Sequence, residues 1–165
     1  MNREVAIYKN KKYKAYICRV AGKIRKIELF SNRKEIDFKP TMSAYTKDLY
    51  VREVYKEDVT ELFREYFMAQ YKNYEFFVVG LFKDCKEIET ITVDPTIARE
   101  CNMVYQDRDL FKKRLDLNDD YQLIHVKEDY LKKTTTRKEV TLEESYAIDN
   151  EKFEYVDSYP KGDII

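Results

Sequence analysis

The feature that most constrains this chain is an internal repeat with a period of about 62 residues. Val5-Ala6-Ile7-Tyr8-Lys9-Asn10 lines up with Met68-Ala69-Gln70-Tyr71-Lys72-Asn73, with Ala, Tyr, Lys and Asn in the same order. Ile24, Ile27 and Leu29 then align with Ile88, Ile91 and Val93. Asp48-Leu49-Tyr50 aligns with Asp109-Leu110-Phe111, and Asp58-Val59 and Leu62 with Asp120-Tyr121 and Ile124. Blocks recurring in one order, with small drifts at loops, imply a duplicated supersecondary unit. The competing reading is two unrelated β-meanders that share common residue types.

Local patterning says what the unit is. Val5–Lys9, Tyr13–Val20 and Lys23–Phe30 read as strands of a meander, with turns at Asn10-Lys11-Lys12 and Ala21-Gly22. Residues 31–44, which contain Pro40, read as a connecting loop, and Asp48–Tyr55 as a further strand. Val59, Leu62, Phe63, Tyr66 and Phe67 fall at helical spacing behind Asp58, a candidate N-cap with Glu61 in capping-box position; this predicts a helix there. Thr134–Leu142 is strand-like. The acidic stretch from Glu143 to Tyr159-Pro160-Lys161-Gly162 reads as a tail that frays at its end.

The expected architecture is therefore mainly β, with α+β as second choice. It comprises two tandem, small, SH3-like or barrel-like units, each with a short helical turn. The first unit spans 1–66 and the second 67–130. Residues 131–165 supply a C-terminal strand and an acidic tail packed on the second unit. Composition agrees. With 15 Tyr and 9 Phe but 3 Gly and 3 Pro, the chain favours pleated, half-buried surfaces and excludes collagenous or low-complexity structure.

Charge separates the copies. Residues 1–66 hold 16 Lys/Arg against 10 Asp/Glu (+6), residues 67–130 hold 9 against 13 (−4), and residues 131–165 hold 6 against 8 (−2). The two units would thus present different fields to a partner. The N-terminus lacks the apolar core of a secretory signal, and no run approaches the roughly 18 apolar residues of a membrane span. Cys18, Cys85 and Cys101, odd in number and widely spaced, read as reduced thiols in the cytosol, and Cys85 and Cys101 as small buried hydrophobes.

The residues needed for familiar chemistries do not cluster. His125, the only histidine, has no nucleophile at a recognisable spacing and reads as structural. Cys85 and Cys101 lack the short Cys/His spacing of a zinc site, and Gly22, Gly80 and Gly162 form no phosphate loop. Adjacent carboxylates such as Asp119-Asp120, Glu128-Asp129 and Glu143-Glu144 arise readily in so charged a chain and read as solvated faces. No catalytic residue, cofactor or metal is expected. The Lys/Arg-rich stretch 9–26 interleaves with Tyr8, Tyr13 and Tyr16, a pattern that some small barrels use on single-stranded nucleic acid. The overall pI of 6.6 argues against that use and for a solvated hairpin.

The repeated pattern can be written Ala6-x-Tyr8-Lys9-Asn10-x-x-Tyr13, Gly22-Lys23-Ile24, Asp48-Leu49-Tyr50-Val51-Arg52-Glu53-Val54 and Asp58-Val59-x-Glu61-Leu62. Over residues 4–130 it resembles small, Tyr-rich, charged immunity proteins of bacterial polymorphic-toxin systems from low-GC Gram-positive bacteria. That resemblance implies a non-enzymatic cytosolic inhibitor that binds a cognate toxin domain, with no membrane partner. A nucleic-acid-binding adaptor using the basic first unit is the alternative. Toxins that act on nucleic acids or nucleotides have basic sites, so an acidic, aromatic surface would oppose them. The candidate partner-binding residues are Asp116, Asp119, Asp120, Glu128, Asp129, Glu143, Glu144, Tyr146 and Asp149. The oligomeric state is left open by the sequence.

Overall fold

A computed structural model describes residues 1–41 and 49–154. Asp48, one of the repeat positions, and the terminal Tyr159–Gly162 lie outside the described residues. In chain order the elements are β1 (Asn2–Tyr8), β2 (Lys11–Val20), β3 (Lys23–Ser31), β4 (Lys39–Pro40), β5 (Tyr50–Val54) and a 3-10 turn (Lys56–Asp58). There follow β6 (Glu61–Tyr71), β7 (Tyr74–Phe82), β8 (Glu87–Thr92), α1 (Pro95–Glu100), β9 (Val104–Asp107), β10 (Leu110–Leu115), β11 (Tyr121–Asp129), β12 (Thr134–Val140) and α2 (Leu142–Asp149). At 58% strand and 12% helix, with antiparallel pairing, the protein is mainly β, as the composition implies.

The chain divides into two compact units. Among the described residues, an N-terminal unit holds 3–41, 49–64, 129–133 and 152–154, and a C-terminal unit holds 1–2, 65–128 and 134–151. In the N-terminal unit the order is β4-β5-β3-β2-β1, with the start of β6 returning beside β1, where Thr60 N–H donates to Ile7 O at 2.9 Å. Its core gathers Ala6, Tyr8, Tyr13, Ile17, Ile27, Leu29, Phe38, Val54, Val59 and Leu62. In the C-terminal unit the order is β6-β7-β8-β10-β9, with β11 returning beside β6 and β12 beside β11. Its core gathers Phe67, Ala69, Tyr71, Phe76, Val78, Ile88, Cys101, Leu115, Leu123, Val140, Leu142 and Tyr146. Each unit is thus a four-strand meander whose fifth strand returns to the first.

Two-residue turns set the register. Tyr8 pairs with Lys11 and Tyr71 with Tyr74, leaving Lys9-Asn10 and Lys72-Asn73 as the loops. Both residues of each loop are left-handed, at φ 49° and 61° in the first and 49° and 66° in the second. Paired positive φ values mark type I′ hairpins, whose twist matches that of the strands; Asn tolerates this conformation better than most residues. The turn therefore sits at Lys9-Asn10, one residue earlier than the sequence reading placed it.

The repeat is visible in strand pairing and corrects the sequence alignment in two places. Ala15 pairs with Leu29 and Leu29 with Arg52; Val78 pairs with Thr90 and Thr90 with Lys113. Ile27 pairs with Val54 and Ile88 with Leu115, so these equivalents lie 61 residues apart (27 to 88, 54 to 115). The structure therefore matches Ile27, not Ile24, with Ile88, because β2–β3 holds more residues between equivalent pairs than β7–β8. An alternating strand makes the three-residue slip costly to read: Val93, aligned by sequence with fully buried Leu29, is 70% exposed. The second correction concerns Asp58. Tyr55 N–H donates to Asp58 Oδ2 at 2.8 Å, and Asp116 N–H to Asp119 Oδ2 at 2.9 Å, so the partner of Asp58 is Asp119 rather than Asp120.

The helix expected across residues 57–67 is only the short 3-10 turn, and β6 replaces the rest. Phe63, Glu65, Phe67, Ala69 and Tyr71 are all buried at alternate positions. Leu62 is buried on the opposite side, and Tyr66 is half-buried, so apolar groups on both faces mimic helical spacing. Two real helices were instead hidden. Asp94 caps α1 through Thr96 N–H (2.8 Å) and Ile97 N–H (3.1 Å), with Pro95 in the first turn. Thr141 and Glu144 form a capping box that opens α2 inside the presumed tail.

Candidate partner-binding surface

The residues singled out by charge divide by what their side chains do. Asp116 and Asp119 fold the turn before β11: besides the bond to Asp119, Asn118 N–H donates to Asp116 Oδ1 at 2.7 Å. Asp129 accepts from Leu131 and Lys132 N–H at 3.0 and 2.9 Å and shapes the β11–β12 turn. Glu144 accepts from Thr141 N–H at 2.8 Å, and Glu128 from the Tyr66 hydroxyl at 2.9 Å. Tyr146 is buried, its hydroxyl 3.4 Å from Phe82 O. Asp120 and Glu143 are exposed without a scaffold bond of this kind, and Asp149 is half-buried at the end of α2.

Several of these groups converge on one corner of the C-terminal unit. Burial raises the Tyr121 hydroxyl above its ordinary pKa, and the neighbouring Tyr146, Asp119, Asp116 and Glu143 reinforce the shift. Tyr146 is raised in the same way by burial, then by Glu143, Cys85 and Asp84. The result is an acidic rim around two tyrosines that stay neutral, of which Tyr146 is buried with its hydroxyl toward Phe82 O. Beside it a cleft of about 360 Å³ is lined by Lys83, Glu143, Tyr146, Ala147 and Asn150. Asp84 and Lys83 were not foreseen, because they sit in the β7–β8 loop, far in sequence from α2.

The corner belongs to one unit only. At the positions 61 residues before Asp116 and Tyr121 stand Tyr55 and Thr60, and α2 follows the second copy alone. Other features are duplicated. Tyr8 is flanked by Lys9 and Arg52, each 5.2 Å from its ring centre, and Tyr71 by Lys72 and Lys113 at 5.5 and 5.9 Å. These cation–aromatic contacts tie each hairpin tip to a strand that is not its neighbour in the sheet, β5 through Arg52 and β10 through Lys113.

The remaining candidates settle into scaffold roles. His125 Nε2 lies 2.9 Å from the buried Glu65 carboxylate, with its ring 5.4 Å from that of Phe67. Cys101 is buried and its thiol is pushed up by desolvation, whereas Cys85 is exposed, contrary to the expectation of a buried residue, and Cys18 is half-buried. Among the described residues no group of three or more His, Cys, Asp or Glu could hold a metal ion, and no helix is long and apolar enough to cross a membrane. In the basic stretch, Tyr8 and Tyr13 are core residues and Tyr16 is exposed. Lys11 pairs with Glu35, Arg19 with Glu4, and Lys26 with Glu28 and Glu53.

Fold and surface define a duplicated antiparallel β protein whose second copy carries an added acidic, tyrosine-lined corner. The chain belongs to the family described as "Uncharacterised conserved protein UCP033725", whose model matches residues 2–133. That span contains both copies of the repeat and ends before β12 and α2. No curated protein and no solved structure gives a significant match.

Proposed function

We propose that this chain is a non-catalytic binding protein: an immunity protein that neutralises a cognate toxin domain in the cytosol. The observation that carries the reading is the acidic corner of Asp84, Asp116, Asp119 and Glu143 around Tyr121 and Tyr146. Such a surface suits a basic partner site, because complementary charge speeds encounter. Each unit is read as an SH3-like interaction module. The support is its strand order, a meander with the fifth strand beside the first and a short turn before it.

The direct test is co-expression with the toxin domain encoded by the neighbouring upstream reading frame. The expected result is rescue of growth and a co-eluting complex. Asp84→Lys combined with Glu143→Lys, both exposed, should weaken the complex about tenfold or more, while Glu57→Lys on the N-terminal unit leaves it intact. An unaffected complex would dismiss the acidic corner. Absence of both rescue and complex would dismiss the immunity reading.

A further inference from the structure

In the N-terminal unit the β2–β3 ladder runs out before its strands do. Its outermost pair is Lys14 with Phe30, and two residues further along the opposed positions are Lys12 and Asn32. There the rung is supplied by Glu154, which belongs to the same unit. Glu154 N–H donates to Lys12 O at 3.1 Å, and Asn32 N–H donates to Glu154 O at 3.3 Å. One residue thus gives its donor to one strand and its acceptor to the other, where the two part. Main-chain pairing of this kind is how sheets take up extended peptides.

The side chain before Glu154 is clamped by charge. The Phe153 ring centre lies 4.4 Å from the Arg3 guanidinium and 5.2 Å from Lys12 Nζ. Arg3 and Ile7 share a face of β1, and Ile7 opposes Lys12, so both cations stand on one side of the sheet. Their hairpin equivalents in the C-terminal unit are Tyr66 and Glu75, neither of them a cation. Arg3, Lys12 and Asn32 lie within the span that the family model matches, whereas Phe153 and Glu154 lie beyond it. The occupant is also no part of the core. Phe153 is half-buried, Lys152 is exposed, and the cluster of Tyr13, Ile27, Leu29, Phe38, Val54 and Leu62 does not include them.

We infer that the mouth between β2 and β3 is a docking seat for a short extended peptide bearing an aromatic side chain in an acidic context, and that residues 152–154 fill it in cis as a displaceable strap. The chemistry of the occupant follows from the seat. The carbonyl of Lys12 and the N–H of Asn32 read an extended backbone. Arg3 and Lys12 read the face of an aromatic ring. The net charge of +6 on residues 1–66 favours acidic neighbours, such as Glu151 and Glu154 beside Phe153. A partner segment of the same chemistry competes with the strap, whose tether holds it at an effective concentration of about millimolar. The strap therefore admits only segments that bind better than itself. This seat is separate from the acidic corner, is basic where that is acidic, and does not rest on the immunity reading.

The test titrates the isotope-labelled full chain with a capped peptide of its own residues, Asn150-Glu151-Lys152-Phe153-Glu154, and follows backbone amide shifts. The Asn32 amide is the reporter, because it donates to Glu154. The Phe153→Ala chain should keep its thermal melt and bind the peptide about tenfold or more tightly than the unaltered chain, whose strap competes. Adding Lys12→Glu to that chain, or placing Phe153→Ala in the peptide, should abolish the gain, and rising salt should weaken the binding. In the unaltered chain the Asn32 amide should exchange faster than amides within the β2–β3 ladder, as a displaceable strap requires. Equal affinity of the two chains would overturn the inference, as would the lack of any saturable shift at Asn32 up to several millimolar peptide. A Phe153→Ala chain that no longer folds would overturn it too, by making Phe153 a structural residue.

Discussion

The N-terminal and C-terminal units share an inside and differ outside. Ile27 and Ile88, Val54 and Leu115, Leu62 and Leu123 occupy matching core positions, all nearly or fully buried. The turn locked by Asp58 is rebuilt around Asp119, and the Tyr8 cluster around Tyr71. One shared position changed chemistry without losing burial: Thr90 replaces Leu29, and its hydroxyl donates to Lys113 O at 3.0 Å. Outside, the N-terminal copy keeps self-paired basic groups, whereas the C-terminal copy has the acidic corner. Duplication accounts for the frame, and recognition is assigned to what the copies do not share.

The comparison can be broken most forcefully in the core. Ile27→Ala and Ile88→Ala should each destabilise by about 2–5 kcal/mol, measured by urea unfolding, because both side chains are fully buried and leave cavities. An effect under about 1 kcal/mol at either position would deny their equivalence.

The next test exploits a network that, among the described residues, belongs to the N-terminal unit. Tyr13, 1% exposed, donates to Glu35 Oε2 at 2.9 Å, and Ser31 and Lys11 reach the same carboxylate at 3.2 Å. Burial pulls the Glu35 pKa upward, but the bonds from Tyr13, Lys11 and Ser31 outweigh it and hold the carboxyl below its ordinary value. A depressed folded pKa gives stability that is present above the unfolded value and lost as pH falls toward the folded one. Acid should therefore loosen the N-terminal unit first as pH drops below about 4.3, and Glu35→Gln should flatten that dependence. Tyr13 has the opposite sign: burial and Glu35 raise it, so its contribution persists below its ordinary value and fades at strongly alkaline pH. Tyr13→Phe should cost about 1–2 kcal/mol at neutral pH. Residue-resolved amide exchange would locate each effect; equal acid loosening of both units would contradict the assignment.

Smaller effects sharpen the correspondence of the hairpins. Asn10→Ala and Asn73→Ala should each cost about 1 kcal/mol, since Ala loses the tolerance of φ near 60°, whereas Asn→Gly at either site should be neutral or stabilising. Least of all, Lys9→Gln and Lys72→Gln should each cost about 0.5 kcal/mol by loosening a cation from its tyrosine. Matched thermal melts of the paired variants would reveal any asymmetry.

Much of this was legible in the sequence, and the failures have physical causes. The Tyr-Lys-Asn blocks marked true hairpin equivalents, because only residues tolerant of left-handed φ serve a two-residue turn. Ile24, Ile27 and Leu29 misled because a strand with apolar groups on both faces has no unique alignment by residue type. β6 looked helical for the same reason, with buried Glu65 interrupting its alternation. Thr141 and Glu144 spelled a capping box within an acidic segment that was read as tail. Of the acidic candidates, Asp120 and Glu143 remain exposed, while Asp116, Asp119, Asp129 and Glu144 proved to be turn and cap formers. Charge alone cannot distinguish an Asp that locks a turn from one that faces a partner. The contribution of Asp84 needed the fold, because no local pattern ties the β7–β8 loop to α2.

The most direct measurement of the central claim is a set of cross-strand nuclear Overhauser effects between backbone protons. The account predicts contacts between Ile27 and Val54 and, 61 residues later at both strands, between Ile88 and Leu115. Finding one set without the other, or Ile24 in the place equivalent to Ile88, would contradict a frame built twice in one register.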